Sequence, residues 1–227
     1  MNLLSLFLLL ATVFVTSQGS DFSCLSWRFA VEADNIIGWT KAVTDAAWNY
    51  TQSMELADDG KNICIFDVDD ATLSNLPYYE VHHYGAEAVN STALNEWFMV
   101  GKLPALNETL EFYNNLLKLE KIKLIILTGR RDDMEDVVKA NLQEAGYGNW
   151  TKLILKETSY SGSTFEFKEE ERRKLVEEDG YRIIGNMGDQ WSDIQGIHLG
   201  NWTFKLSNPL YYTAGAQGTD QNLYFDF

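Results

Sequence analysis

Basic side chains are scarce: 18 Lys and Arg stand against 33 Asp and Glu, for a formal net charge of −15. A bare polyanion such as DNA or RNA is therefore a poor partner, because its binding needs a basic footprint that this composition does not supply. Any anionic ligand has to meet local counter-charge, from a metal or from a few placed Lys and Arg residues. Cysteine is rarer still, with Cys24 and Cys64 alone, so at most one bridge can form and the pairing of these two stays open. Only three prolines occur, and no repeat, low-complexity tract or Pro/Gly-rich linker divides the chain. An apolar run long enough to span a bilayer, roughly 20 residues, is also missing. What remains, 227 residues of which 45% are apolar, suits one domain with one core rather than a disordered chain.

The stretch Leu3 to Val15 is apolar apart from Ser5 and Thr12, carries no charge, and ends in the small polar run Thr16 to Ser20. It reads as a signal peptide over residues 1–19, cleaved between Thr16 and Ser20. Five N-x-[ST] sequons, at Asn49, Asn90, Asn107, Asn149 and Asn201, agree with export and predict surface positions for these asparagines. A secreted or vacuolar destination by way of the secretory pathway is expected.

Residues 20–61 are expected to form an N-terminal helical segment, with apolar side chains at helical spacing around Trp27, Phe29, Val31, Ile36, Ile37 and Trp39. From residue 62 short apolar strands alternate with longer helical stretches, which predicts an α/β fold with a parallel sheet. The strands are expected at Asn62–Val68, Lys123–Thr128, Lys152–Leu155, Tyr181–Gly185 and Thr203–Leu206. Helices are expected at Leu106–Leu119, Asp132–Ala145 and Lys168–Glu178, with Gly146 and Gly180 as C-caps. An aromatic-rich segment, residues 77–104, is a candidate lid.

The strand Cys64-Ile-Phe runs directly into Asp67-Val-Asp69-Asp70. In an open parallel sheet the ligand crevice lies beyond the carboxyl ends of the strands, so these acids fall where chemistry is expected. Neighbouring carboxylates repel unless a cation or a proton intervenes, and magnesium prefers such oxygen donors. A calcium EF-hand is excluded, because the sixth position is Thr72 rather than Gly and the twelfth is Tyr78 rather than Glu. Taken alone, the acidic pair suits a helix cap or turn equally well. Three further segments add to it: Leu124–Thr128 ending in Gly129-Arg130, which offers a hydroxyl and backbone N–H groups; Lys168; and Arg182–Gly185 leading into Gly188-Asp189-Gln-Trp-Ser-Asp193. His82-His83 reads as a solvated lid pair before a metal or substrate site, Cys64 as strand packing before a nucleophile, and Tyr78 and Tyr79 as pocket lining or core.

This order of D-x-D, hhhTGR, Lys and GDxxxD resembles the haloacid dehalogenase superfamily of phosphohydrolases. Ser26–Ala33, Phe66–Asp69, Leu73–Tyr79, Leu127–Arg130, Gly188–Asp193 and Asn208–Tyr212 resemble plant acid phosphatases of the class B-like group, which also includes vegetative storage proteins. The resemblance implies a Rossmannoid parallel sheet flanked by helices with a small helical and aromatic cap-like insertion, the phosphatase domain spanning residues 62–212. It implies Asp67 as nucleophile and metal ligand, and Asp69 as proton donor and then base. A Mg2+ ion would be held by Asp67, the backbone carbonyl of Asp69 and Asp189, supported by Asp193, with Thr128, Gly129 and Lys168 on the phosphoryl group. The partner it implies is a small phosphomonoester, with a homodimer as the assembly considered and a storage glycoprotein as the alternative function. Three departures stand out: Ala71-Thr72 where the family has the hydroxyl first, a shortened stretch between Trp39 and the first core strand, and a tail, 213–227, whose Gln221–Phe225 resembles a protease-tag site. The first predicts a looser aim for Asp69.

Overall fold

The computed structural model describes residues 33–85 and 89–211. The expected leader, Cys24, the start of the N-terminal segment and the tail lie outside them. The chain runs α1 (Ala33–Gln52), β1 (Asn62–Phe66), α2 (Leu76–Val81), a 3₁₀ turn (His83–Gly85), α3 (Ser91–Val100), α4 (Asn107–Lys118) and β2 (Lys123–Arg131). A second 3₁₀ turn (Asp132–Met134) leads into α5 (Glu135–Glu144), β3 (Lys152–Lys156), α6 (Thr164–Glu177), β4 (Arg182–Gly188), α7 (Trp191–Ile194) and β5 (Trp202–Lys205).

All strand pairings are parallel, in the order β3-β2-β1-β4-β5. Every residue of β1 is buried, as a central parallel strand covered on both faces requires. Its alternation splits the core in two. Ile63 and Ile65 join Ile125, Leu127, Ile183 and the α6 residues Phe167 and Leu175. Cys64 and Phe66 join Phe112, Tyr113 and Leu116 of α4, Val138 and Leu142 of α5, and Ala47 of α1. The chain builds outward from β1 to β3 on one side and then crosses to β4 and β5 on the other. That places the topological switch point between β1 and β4, with the crevice at their carboxyl ends.

Element ends depart from expectation where polar groups intervene. β1 stops at Phe66 rather than Val68, because the Val68 carbonyl accepts from Thr72 N (3.1 Å) and Leu73 N (2.9 Å) and turns the chain. β2 continues past Thr128 through a bulge to Arg131, which aligns with Lys156. β4 extends to Gly188, where Met187 and Gly188 align with Phe204 and Lys205. α6 begins at Thr164, four residues before Lys168, through a capping box in which Ser163 N donates to Glu166 Oε2 (2.8 Å) and Glu166 N to Ser163 Oγ (3.2 Å). The segment 77–104 holds two helices. α2 buries Tyr78 and Tyr79 with Leu210, and α3 is capped by Asn90 Oδ1 and ends at Gly101, whose φ of 63° suits glycine.

Candidate active site

The residue after β1, Asp67, extends the ladder by one bond, from its N–H to the Met187 carbonyl (3.0 Å). The turn that follows places Asp70 at φ 52°, a left-handed conformation that Asp tolerates, and Asp70 N donates to Leu73 O (2.7 Å). Asp67 and Asp69 thus leave the same strand end into different surroundings.

Asp67 is 5% exposed and accepts from Lys168 Nζ at 2.7 Å. Lys168 also donates to Asp193 Oδ1, and Asp193 Oδ2 accepts from Gln190 N (3.0 Å). One carboxylate oxygen from each of Asp67, Asp189 and Asp193 lies within 4.8 Å of the others. Burial, then the Asp193 charge, raises the Asp67 pKa. Burial, then Asp67, raises that of Asp189 as well. Burial opposes the Lys168 charge, yet Asp193 and Asp67 hold its pKa above the ordinary lysine value.

Asp189 shows what this cluster lacks. Its Oδ2 accepts from Gln190 Nε2 (2.5 Å) and Asn208 Nδ2 (2.7 Å), while Oδ1 is buried with no hydrogen-bond partner among the described residues. Two of the three buried carboxylates share one ammonium, and the third carries an orphaned oxygen, all among oxygen-only donors. That arrangement suits a hard divalent cation.

Asp69 is held apart from this group. Its carboxylate receives Arg130 Nε (2.9 Å), Arg130 Nη2 (2.7 Å) and Asn75 Nδ2 (2.9 Å). Burial alone would raise its pKa, but the Arg130 guanidinium overcomes burial and holds it below the usual carboxylate range. Both oxygens of the Asp69 carboxylate are thus engaged by Arg130 and Asn75. Asn75 also secures Asp70, through its N–H (2.8 Å) and Nδ2 (3.1 Å), and Tyr211 Oη donates to the same carboxylate (2.8 Å).

Thr128 is fully buried, with its Oγ1 accepting from Arg130 N at 3.1 Å. Gly129 sits in the β2 bulge, where a Cβ would come within 2.8 Å of Thr164 Cγ2. Asp193 is positioned from below: Asn186 Nδ2 donates to its carbonyl (2.6 Å), and the buried Arg172 donates to Ser192 O (3.1 Å) and Gln195 O (2.8 Å) around α7. Burial lowers the Arg172 pKa to about 10. Sequence reasoning missed Asn75, Arg172, Asn208 and the Arg130–Asp69 pair. Asn75 and Asn208 did lie in the recognised motifs Leu73–Tyr79 and Asn208–Tyr212, as polar residues in apolar company.

The remaining candidates are placed elsewhere. Tyr78 and Tyr79 are 6% and 3% exposed and pack in the aromatic cluster that joins α2 to α3, Leu210 and Tyr211. His82 lies against the Tyr78 ring, 4.2 Å between centroids. Cys64 is buried and in no disulfide among the described residues, and burial pushes its thiol up to about 12, against a nucleophilic role. Ala71 is fully buried in the apolar core, and Thr72 Oγ1 donates to Val68 O (3.2 Å), so the expected loosening of Asp69 does not follow. Asp69 takes its aim from Arg130 and Asn75 instead. Asn49, Asn90, Asn107, Asn149 and Asn201 are all exposed.

A five-stranded parallel sheet flanked by helices, with acids after β1 and β4 and a threonine at the end of β2, defines a haloacid dehalogenase-like α/β fold. The Class C acid phosphatase from Bacillus anthracis shares it, with a TM-score of 0.63 over 83% of this chain and 84% of that one at 16% identity. A family model described as HAD superfamily, subfamily IIIB (Acid phosphatase), matches residues 40–214, and the chain belongs to that family. It is 39% identical to Acid phosphatase 1 of Solanum lycopersicum over 215 residues, covering 85% of this chain and 84% of that one. It is 41% identical to the Stem 28 kDa glycoprotein of Glycine max, covering 85% and 84%, and 36% identical to Vegetative storage protein 1 of Arabidopsis thaliana, covering 84% and 78%.

Proposed function

We propose that the chain is a secreted acid phosphatase that hydrolyses small phosphomonoesters through an aspartyl-phosphate at Asp67. The observation that carries this reading is the buried Asp67 at the end of β1, paired with Lys168 beside the unpartnered oxygen of Asp189. A Mg2+ ion would be held by Asp67, Asp189 and the backbone carbonyl of Asp69, with Asp193 in support. When bound it supplies positive charge that lets an anionic substrate approach a nest of carboxylates.

In the first step an Asp67 oxygen bonds to phosphorus while the bond from phosphorus to the ester oxygen breaks, and Asp69 gives its proton to that oxygen. In the second, water attacks phosphorus, Asp69 takes the water proton, and Asp67 leaves as carboxylate. Arg130 keeps Asp69 ionised in the free protein. An arriving phosphate dianion is a like charge that opposes this pull and favours the protonated acid. Lys168, Thr128 and the Gly129 N–H hold the phosphoryl oxygens in line. The charge-free apolar leader and the five exposed sequons support a secretory route.

Relatives named as vegetative storage protein and stem glycoprotein favour one alternative, a storage glycoprotein of the same fold with little turnover. Retention of both Asp67 and Asp69 favours the enzyme. The mature protein assayed with p-nitrophenyl phosphate and Mg2+ at pH 4 to 8 should turn over at least about a thousandfold faster than Asp67→Asn, and chelation should remove that activity. A wild type no faster than Asp67→Asn at any pH would leave storage as the better reading.

A further inference from the structure

We propose that helix α3 of the lid positions Asp69, through the consecutive residues Trp97 and Phe98. The inference rests on Asp69 serving the leaving oxygen, as set out above, and names what aims it.

Each of the two lid residues supports one of the two groups that hold the Asp69 carboxylate. Trp97 Nε1 donates to Asn75 Oδ1 at 3.1 Å, and the Asn75 amide donates in turn to Asp69 (2.9 Å) and Asp70 (3.1 Å). An indole N–H can only donate, so it determines which end of the Asn75 amide faces it and turns the NH2 end toward the two carboxylates. Without that donor the amide can flip and set its oxygen against a carboxylate. Phe98 lies under the Arg130 guanidinium, 4.1 Å from ring centroid to Cζ. The guanidinium is planar and spends Nε and Nη2 on Asp69 in a fork, so the ring beneath it sets the plane in which Asp69 is held.

Neighbouring helical residues point about 100° apart, which is how one helix reaches the carboxylate's two supports at once. Both aromatics pack on the core, whereas the following Met99 and Val100 are 51% and 58% exposed. The lid helix thus presents its inner face to the turn that bears Asp69.

A misaimed proton donor harms a poor leaving group far more than one that departs without protonation. The test compares turnover of p-nitrophenyl phosphate with that of glycerol phosphate in wild type, Trp97→Phe, Phe98→Leu, Phe98→Tyr and Asp69→Asn. Because both substrates meet the same protein sample, the ratio of rates is independent of how much of a variant folds. We expect the ratio to rise roughly tenfold in Trp97→Phe and Phe98→Leu, in the direction of a larger rise in Asp69→Asn, a partial loss of general-acid catalysis. Phe98→Tyr, which keeps the ring, should stay at the wild-type ratio. Unchanged ratios in Trp97→Phe and Phe98→Leu, with the Asp69→Asn rise intact, would overturn the positioning role alone. An Asp69→Asn ratio equal to wild type would overturn the proton-donor reading and this inference together.

Discussion

Asp67 and Asp69 share a residue type and a strand end, yet their carboxyls are driven in opposite directions, one upward by burial and Asp193, the other downward by Arg130. Lys168 is the counterpart of that asymmetry, 3% exposed and bonded to both Asp67 and Asp193. Lys168→Met should lose most turnover and phosphate affinity. It should also destabilise the metal-free protein by about 3 kcal/mol in urea titration, because two buried carboxylates are left uncompensated. A variant as stable as wild type would mean that groups other than Lys168, such as the Gln190 N–H on Asp193, suffice to hold the two carboxylates. At this scale the charged residues were legible, since acids and a lysine at strand and helix termini stand out against apolar runs. The neutral and charge-neutralising partners were not, because Asn75, Asn208 and the Arg130–Asp69 pair act across separations of up to 61 residues.

Helix α6 carries Lys168 to the site, and its start is set by Ser163 and Glu166. The S-x-x-E spacing of Ser163 and Glu166 marks that start in the sequence, four residues before Lys168. Ser163→Ala should cost about 1 kcal/mol in thermal or denaturant unfolding, with a smaller effect on turnover than Lys168→Met; no loss of stability would show that the helix start is held by packing alone. The turn after β1 gives an outcome opposite to a simple repair of the family pattern. Exchanging Ala71 and Thr72 for Thr and Ala would bury a hydroxyl in the apolar cluster and remove the bond to Val68 O, so we expect a loss of roughly 1–3 kcal/mol and no gain in rate. A faster enzyme would show that position 71 does reach Asp69. Strand ends were misjudged by up to three residues for a related reason: β2 and β4 continue beyond their apolar runs because neighbouring strands still offer partners.

Across the whole molecule the cluster of Asp67, Asp189 and Asp193 is a concentration of negative charge that folding alone must overcome. Mg2+ at a hundred times its dissociation constant should stabilise the protein by about 2.7 kcal/mol, a rise of roughly 5–10 °C in melting temperature. Asp189→Asn should abolish the rise, and an equal rise in that variant would place the ion elsewhere. No helix among the described residues is long and apolar enough to cross a membrane. The alternation of strands and helices, the acidic strand ends and the family were all readable along the chain, because hydrophobic periodicity and short motifs are local. Which strands neighbour β1, which of two nearly adjacent aspartates meets a lysine and which an arginine, and which lid residues stand behind them were decided only in three dimensions. Those choices depend on close packing and on satisfying buried polar groups between segments far apart in sequence, and no local pattern records them.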